Sequence, residues 1–227
     1  QRLTRRHDVE VRGVPVRDGG VDRGEFRDAV SGAKLAAFSS LCWTDGCRLP
    51  VGELTDLAHD AGARVLVDAV QSVGQHPVDV EAWGADAVAA AGHKWALGPT
   101  GAGFLYADPE FARTLDPAQV GYRSVEDPHA DPATHHPDAR RFEVGSVSPV
   151  PHAGLEEGLA VIEELGYDTV TDHIERLTDR LKAGLPEDRL RSPRAFESGL
   201  VAVADDDPEA TVERLAEEGI RVRDIPG

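Results

Sequence analysis

Residues 64–106 read "RVLVDAVQSVGQHPVDVEAWGADAVAAAGHKWALGPTGAGFLY", and the order of apolar runs in this stretch decides the fold. "RVLVDAV" (64–70), "AVAAAG" (87–92) and "GAGFLYA" (101–107) have strand length and lack polar alternation, as strands covered on both faces do. "VDVEAWGA" (78–85) between the first two is partly helical. On the N-terminal side, "EVRGVPV" (10–16) and "KLAAFSSLC" (34–42) read as further strands. "VDRGEFRDAVSG" (21–32) and "VGELTDLAHDAG" (51–62) read as helices that close on Gly. The pattern predicts an α/β fold with a mostly parallel sheet.

The texture changes around Pro109. Residues 111–140, with "EDPHADPATHHPDAR" at 126–140, are rich in Pro, Asp and His and predict a long loop or crossing segment. Helices are expected over "PHAGLEEGLAVIEELG" (151–166) and "DTVTDHIERLTDRLKAGL" (168–185). A strand "GLVAVA" (199–204), a helix "DPEATVERLAEEG" (207–219) and a strand "IRVRD" (220–224) follow. The expected organisation is therefore a large-domain portion over 1–110, a crossing segment over 111–150 and a smaller α+β domain over 151–227. The chain contains no Met, and "QRLTRRHDVEV" has no apolar core of a leader. Both domains are accordingly expected to be incomplete, with the chain cut from a longer protein.

Composition narrows the partners. The 227 residues carry a formal charge of −17, which repels nucleic acid and acidic membranes. No apolar run reaches the length that spans a bilayer. Abundant Asp and Glu beside very few lysines fit a salt-adapted, halophilic cytoplasm. Cys42 and Cys47 form a C-x4-C pair without further Cys or a clear His pair, which reads as two reduced thiols of a cytoplasmic protein and not as a metal site. His129, His135 and His136 in "HADPATHH" read as a solvated loop. "GPTGAG" (98–103) lacks the G-K-[ST] ending of a phosphate-cradling loop, and no serine sits in a nucleophile elbow.

The chain has three lysines, Lys34, Lys94 and Lys182, and Lys94 stands alone in an almost uncharged run. In open α/β sheets ligands gather beyond the carboxyl ends of the strands. Asp68 ends one predicted strand and Lys94 follows another, so both belong to the same rim, with Gln71 and His93 beside them. These residue types suit a pyridine aldehyde cofactor. A nucleophilic lysine must be dried out, its pKa brought below the usual value of about 10.4. A carboxylate opposite a ring nitrogen keeps that nitrogen protonated and the ring an electron sink.

On these residues the chain resembles class V aminotransferase-fold enzymes, the group that includes cysteine desulfurases, isopenicillin N epimerase-like proteins and serine or alanine transaminases. D-x-x-Q followed by H-K-x-x-x-G-P-x-G carries the resemblance, together with "RRFEVGSVSP" (140–149) and "GIRVRDIPG" (219–227). It implies the PLP-dependent transferase fold (fold type I), pyridoxal 5'-phosphate as cofactor and a homodimer acting on a small-molecule amino-acid substrate. It further implies that Lys94 is the Schiff-base lysine and that Asp68 pairs with the pyridinium nitrogen. Gln71 would address the phenolate oxygen, His93 the phosphate, and Arg141 the substrate carboxylate. Ala91 departs from the Ser that many members carry there, which removes one phosphate contact. The resemblance also implies that a ring-stacking residue and another phosphate loop lie in a preceding segment.

Three readings of the activity follow. "HKWALGPTGAGFLY" and "VRDIPG" look closest to the aminotransferase-like and epimerase-like branches, so chemistry at the Cα of an amino acid is the first expectation. Cysteine desulfurase or selenocysteine lyase chemistry is the alternative, disfavoured because no Cys follows Cys47. A non-catalytic dimerising protein of the same fold is the third.

Overall fold

The computed structural model describes Thr4, residues 8–17 and residues 19–225. A two-residue ladder opens the chain, with β1 (Val16–Arg17) antiparallel to β2 (Gly20–Val21). Helix α1 (Arg23–Val30) follows, its first turn capped by Asp22, whose carboxylate accepts the Glu25 N–H at 2.8 Å. The main sheet has four strands in chain order, β3 (Leu35–Ser39), β4 (Arg64–Asp68), β5 (Ala87–Ala91) and β6 (Gly103–Ala107). β3, β4 and β5 run parallel and β6 runs antiparallel to β5, so the predicted α/β fold holds with a mixed sheet.

The register positions the functional rim. Ser39 pairs with Asp68, and Asp68 with Ala89, which brings the carboxyl ends of the three parallel strands to one edge. Val65, Val67 and Val88 are buried in these strands. α2 (Val51–Asp60) seats Leu54 and Ala58 in the same core, and α1 adds Phe26 and Val30. Phe26 meets Phe38 of β3 edge to face, with ring centroids 6.0 Å apart. After the one-turn helix α3 (Val80–Trp83), Asp86 fixes the opposite rim. Its buried carboxylate accepts the Val65 N–H at 2.7 Å, Arg64 Nη1 at 2.7 Å and His59 Nε2 at 2.9 Å. Burial pushes this carboxyl up, but the hydrogen bonds from His59, Val65 and Arg64 outweigh burial and hold it below the usual range.

Beyond the sheet, α4 (Pro109–Thr114) occupies the start of the region expected to be loop. Asp108 caps it on the Phe111 N–H at 2.9 Å and Pro109 occupies its first turn, a start signal that the sequence carried. Residues 115–138 contain no helix or strand, and a 3-10 turn spans Ala139–Phe142. Two helices of 17 residues follow, α5 (Pro149–Leu165) and α6 (Tyr167–Ala183), and then α7 (Pro208–Glu217). No described helix is long and apolar enough to cross a membrane.

Three predicted strands differ. Residues 10–15 are not strand, because they run largely exposed with no neighbour to pair with among the described residues, and only Val16 of that run joins a ladder. Residues 199–204 make a single antiparallel bridge, Leu190 with Val203, carried by Arg191 N–H to Ala202 O and Ala204 N–H to Arg189 O. Residues 220–224 pair with nothing among the described residues. β-propensity alone makes no strand without a hydrogen-bonding neighbour.

Asp86→Ala leaves the Arg64 guanidinium, the His59 ring nitrogen and the buried Val65 N–H without their partner, and is expected to cost on the order of 3 kcal/mol, read as a lower urea midpoint. Because the folded carboxyl titrates below its unfolded value of about 3.9, Asp86 stabilises the fold above that pH. The wild-type advantage is expected to fade as pH falls through the lowered folded value.

Candidate active site

Asp68 ends β4 and turns the chain. Its main-chain carbonyl accepts the Ser40 N–H at 2.9 Å and its side-chain Oδ1 accepts the Val70 N–H at 2.9 Å. Ser72 and Val73 N–H groups then close back on Ala69 O at 2.9 and 3.1 Å. This compact turn delivers Gln71 to the rim three residues after the carboxylate. Gln75, fully buried, holds the turn from behind. Its amide donates to Gln71 O and accepts the Gly199 N–H at 2.9 Å.

The second segment is the hairpin between β5 and β6, which carries His93 and Lys94. Gly92 N–H bonds Ala102 O at 2.9 Å, Gly98 N–H bonds Gly92 O at 2.8 Å, and Leu97 takes a left-handed conformation with φ 58°. The hairpin is clamped on several sides. At Gly74, with φ 101°, an added Cβ would lie 2.1 Å from Trp95 O, so only glycine lets the two turns touch. At Gly158 of α5 an added Cβ would lie 2.6 Å from Ala96 O. The Trp95 indole N–H donates to Gln71 Oε1 at 3.1 Å, joining the two turns through side chains. An indole only donates, so Gln71 presents its amide N–H groups on the other side.

A cleft of about 750 Å³ opens here, lined by Lys94, Gln71, Trp95, Trp43, Thr44 and Arg223 among others. His93 and Lys94 are exposed, and no hydrogen bond or ion pair among the described residues engages the Lys94 ammonium. The dry environment expected for this amine is therefore not supplied by the described residues. Asp68, also exposed, shares the rim through its register but does not line the cleft.

Two arginines divide differently from expectation. Arg141 sits in the 3-10 turn, 9% exposed, with its Nε buried and unpartnered, and it does not line this cleft. Its neighbour Arg140 is occupied by Asp138 at 2.7 Å, and those hydrogen bonds hold the Asp138 carboxyl down to about 2. The guanidinium that does face the cleft is Arg223, lying 4.9 Å over the Trp43 ring. Sequence reasoning passed over it because it stands in "IRVRD" among apolar residues read as strand.

The aminotransferase class-V family model matches residues 1–227. A probable cysteine desulfurase of Methanothermobacter thermautotrophicus is 35% identical over 181 residues, which are 79% of this chain and 45% of that protein. The apo structure of a cysteine desulfurase from Thermococcus onnurineus NA1 superposes with a TM-score of 0.89 at 31% identity, covering 98% of this chain and 57% of that one. A structure of C-DES, a lysine-to-alanine mutant with glycine covalently linked to the PLP cofactor, gives a TM-score of 0.79 at 28% identity, covering 88% and 56% of the two chains. The chain thus spans about half the length of the relatives it matches.

Gly74→Ala is expected to force the two turns apart and to lower stability by more than about 1 kcal/mol, because the backbone is left-handed there and the added Cβ meets the Trp95 carbonyl. The checks are a thermal melt and loss of the Trp95 indole shift produced by its hydrogen bond to Gln71, read by NMR of the indole N–H.

Proposed function

We propose that this chain, which belongs to the aminotransferase class-V family, forms the lysine-bearing wall of a pyridoxal phosphate site in an enzyme that breaks a carbon–sulfur bond of an amino acid. The observation that carries the reading is the unpartnered Lys94 amine held on a rigid hairpin in the same cleft as Gln71 and Arg223. The residues present fit the group. The cleft holds an amine, an amide whose donors are free to turn outward, and a cation, with a carboxylate on the same rim.

Pyridoxal phosphate, when bound, supplies an aldehyde that an amine can capture and a ring that takes up the electron pair left at Cα. Lys94 supplies the amine and then, through Nζ, takes the proton from the substrate Cα; the carbon–sulfur electron pair would leave with the sulfur as a thiol for a lyase, or stay on carbon and be protonated while a thiol takes the sulfur for a desulfurase. Asp68 offers a carboxylate oxygen that keeps a proton on the ring nitrogen. Gln71, its oxygen committed to Trp95, donates from its amide nitrogen to the phenolate oxygen. His93, next to Lys94 at the hairpin, contributes a donor for phosphate. We assign the substrate carboxylate to Arg223 ahead of Arg141, because a planar fork in the cleft can grip a carboxylate in two places and Arg141 does not line that cleft.

Transamination and epimerisation, preferred from the sequence, give way to carbon–sulfur cleavage because the named relatives are cysteine desulfurases and, in one structure, a cystine C-S lyase. The same reading carries a cytoplasmic homodimer. Val144, Val147 and Val150, all exposed at the end of the crossing segment, offer apolar side chains to a second subunit.

The full-length protein is expected to be yellow, to lose its colour on borohydride reduction with the label on Lys94, and to be colourless as Lys94→Ala. With L-cysteine and dithiothreitol it is expected to release sulfide, together with alanine for a desulfurase or pyruvate for a lyase. Keto acid or racemised product from other amino acids, without sulfide, would return the assignment to the aminotransferase or epimerase reading. Arg223→Gln is expected to raise KM for cysteine by about 10- to 100-fold, the loss of one charged hydrogen-bonding pair, with Arg141→Gln nearly silent. The reverse pattern restores the role to Arg141.

A further inference from the structure

The connection from β3 to α2 is not absorbed by the site above. Residues 40–49 fold into a tight hairpin in which Leu41 bridges Arg48, Cys42 N–H bonds Cys47 O at 2.9 Å and Gly46 N–H bonds Cys42 O at 2.9 Å. Gly46 is left-handed at φ 76°, and its carbonyl accepts the Ser198 hydroxyl at 2.7 Å, which ties the hairpin to the 198–200 segment. Asp45 is folded inward, its Oδ1 accepting the Cys47 N–H at 3.0 Å. The consequence is a cluster absent from the C-x4-C spacing alone. The two sulfurs and an Asp45 carboxylate oxygen all lie within 4.8 Å of one another.

We propose that Cys42, Asp45 and Cys47 form a binding site for a borderline-soft divalent cation of the zinc type. Two thiolates and one carboxylate are the donors such an ion selects. Metal–sulfur bonds of about 2.3 Å and metal–oxygen bonds of about 2.1 Å in a tetrahedron place ligand atoms about 3.5 to 3.8 Å apart. Side-chain rotation of about 1 Å therefore completes the set, with the backbone already fixed by the hairpin bonds. A disulfide would demand closure of the sulfurs to about 2.05 Å and would not engage the Asp45 carboxylate that lies beside them. Cys47 is wholly buried while Cys42 and Asp45 are half-buried, so the ion enters from one side and keeps one position for water.

The charges and protons balance. Each thiol gives its proton to solvent as its sulfur binds the metal, and no electron is transferred. Three negative ligands around a divalent ion leave one net negative charge, replacing two neutral thiols and one carboxylate of the same total. Trp43 and Thr44, between the ligands, line the Lys94 cleft. The ion would thus fix one wall of that cleft, although its binding does not depend on the reaction assigned there.

The test is titration of the reduced full-length protein with Cd(II), read by sulfur-to-cadmium absorption in the ultraviolet, away from any visible cofactor band. Saturation at one equivalent and displacement by Zn(II) are expected. Cys42→Ala and Asp45→Asn, both at half-buried positions, are expected to keep the wild-type circular dichroism. Each should lose at least about tenfold in affinity, since even outer partners of a metal cost that much. The proposal is overturned if no such absorption appears, if it saturates equally in the Cys42→Ala/Cys47→Ser double variant, or if thiol titration finds a 42–47 disulfide that reforms in the presence of the metal.

Discussion

The contact of two turns across the carboxyl rim of the sheet governs this molecule. One turn follows Asp68 and the other carries Lys94, and they meet where Gly74 presses its bare backbone against the Trp95 carbonyl. Burial of Gln75 and the Trp95–Gln71 hydrogen bond then make the two turns a single rigid body. A lysine side chain has four rotatable bonds and a strongly hydrated tip, so preorganisation has to come from the backbone beneath it. Here the backbone is held from β4, from α5 through Gly158, and from residue 199 through Gln75.

The three lysines divide the labour. Lys34 is exposed just before β3. Lys182 is buried and donates to Pro193 O at 2.6 Å and Ala195 O at 3.0 Å, and burial lowers its pKa. It secures the loop after α6 and is spent in doing so. Lys94 alone reaches a cleft without a partner. In a chain of such negative charge an ammonium that makes no ion pair or hydrogen bond among the described residues stands out, and that supports reading it as a reactive group.

Much of the sheet was legible because "VLV" (65–67) and "AVAAA" (87–91) are unbroken apolar runs of strand length, although β3 and β6 leave Leu35, Phe104 and Leu105 exposed. Helices α1 and α4 announced themselves through Asp caps, though α4 was hidden inside a segment judged by its prolines. The carboxyl-terminal strands were not legible, since "GLVAVA" and "IRVRD" have the composition of strands while pairing depends on a neighbour that composition cannot supply. Asp68, Gln71, His93 and Lys94 could be nominated because their spacing within one continuous stretch fixes them on one rim. Arg223 and the Asp45 contact with two sulfurs could not, because both arise where the chain folds back on itself over distances no periodicity reports.

Strand β6 runs against its neighbour, and the geometry of that reversal reaches beyond the sheet. Parallel strands need a long crossover, whereas antiparallel ones can be joined by a short hairpin, and this hairpin is the one holding Lys94. The amine is thus tethered at both ends to adjacent strands, like a bead on a loop whose two cords are laced together. Sliding one cord past the other by a single step would reverse every inward and outward face of β6 and carry the bead with it. The lacing between Ala87–Ala91 and Gly103–Ala107 therefore acts as an alignment gauge, and the far edge of the sheet helps to set where the reactive nitrogen stands.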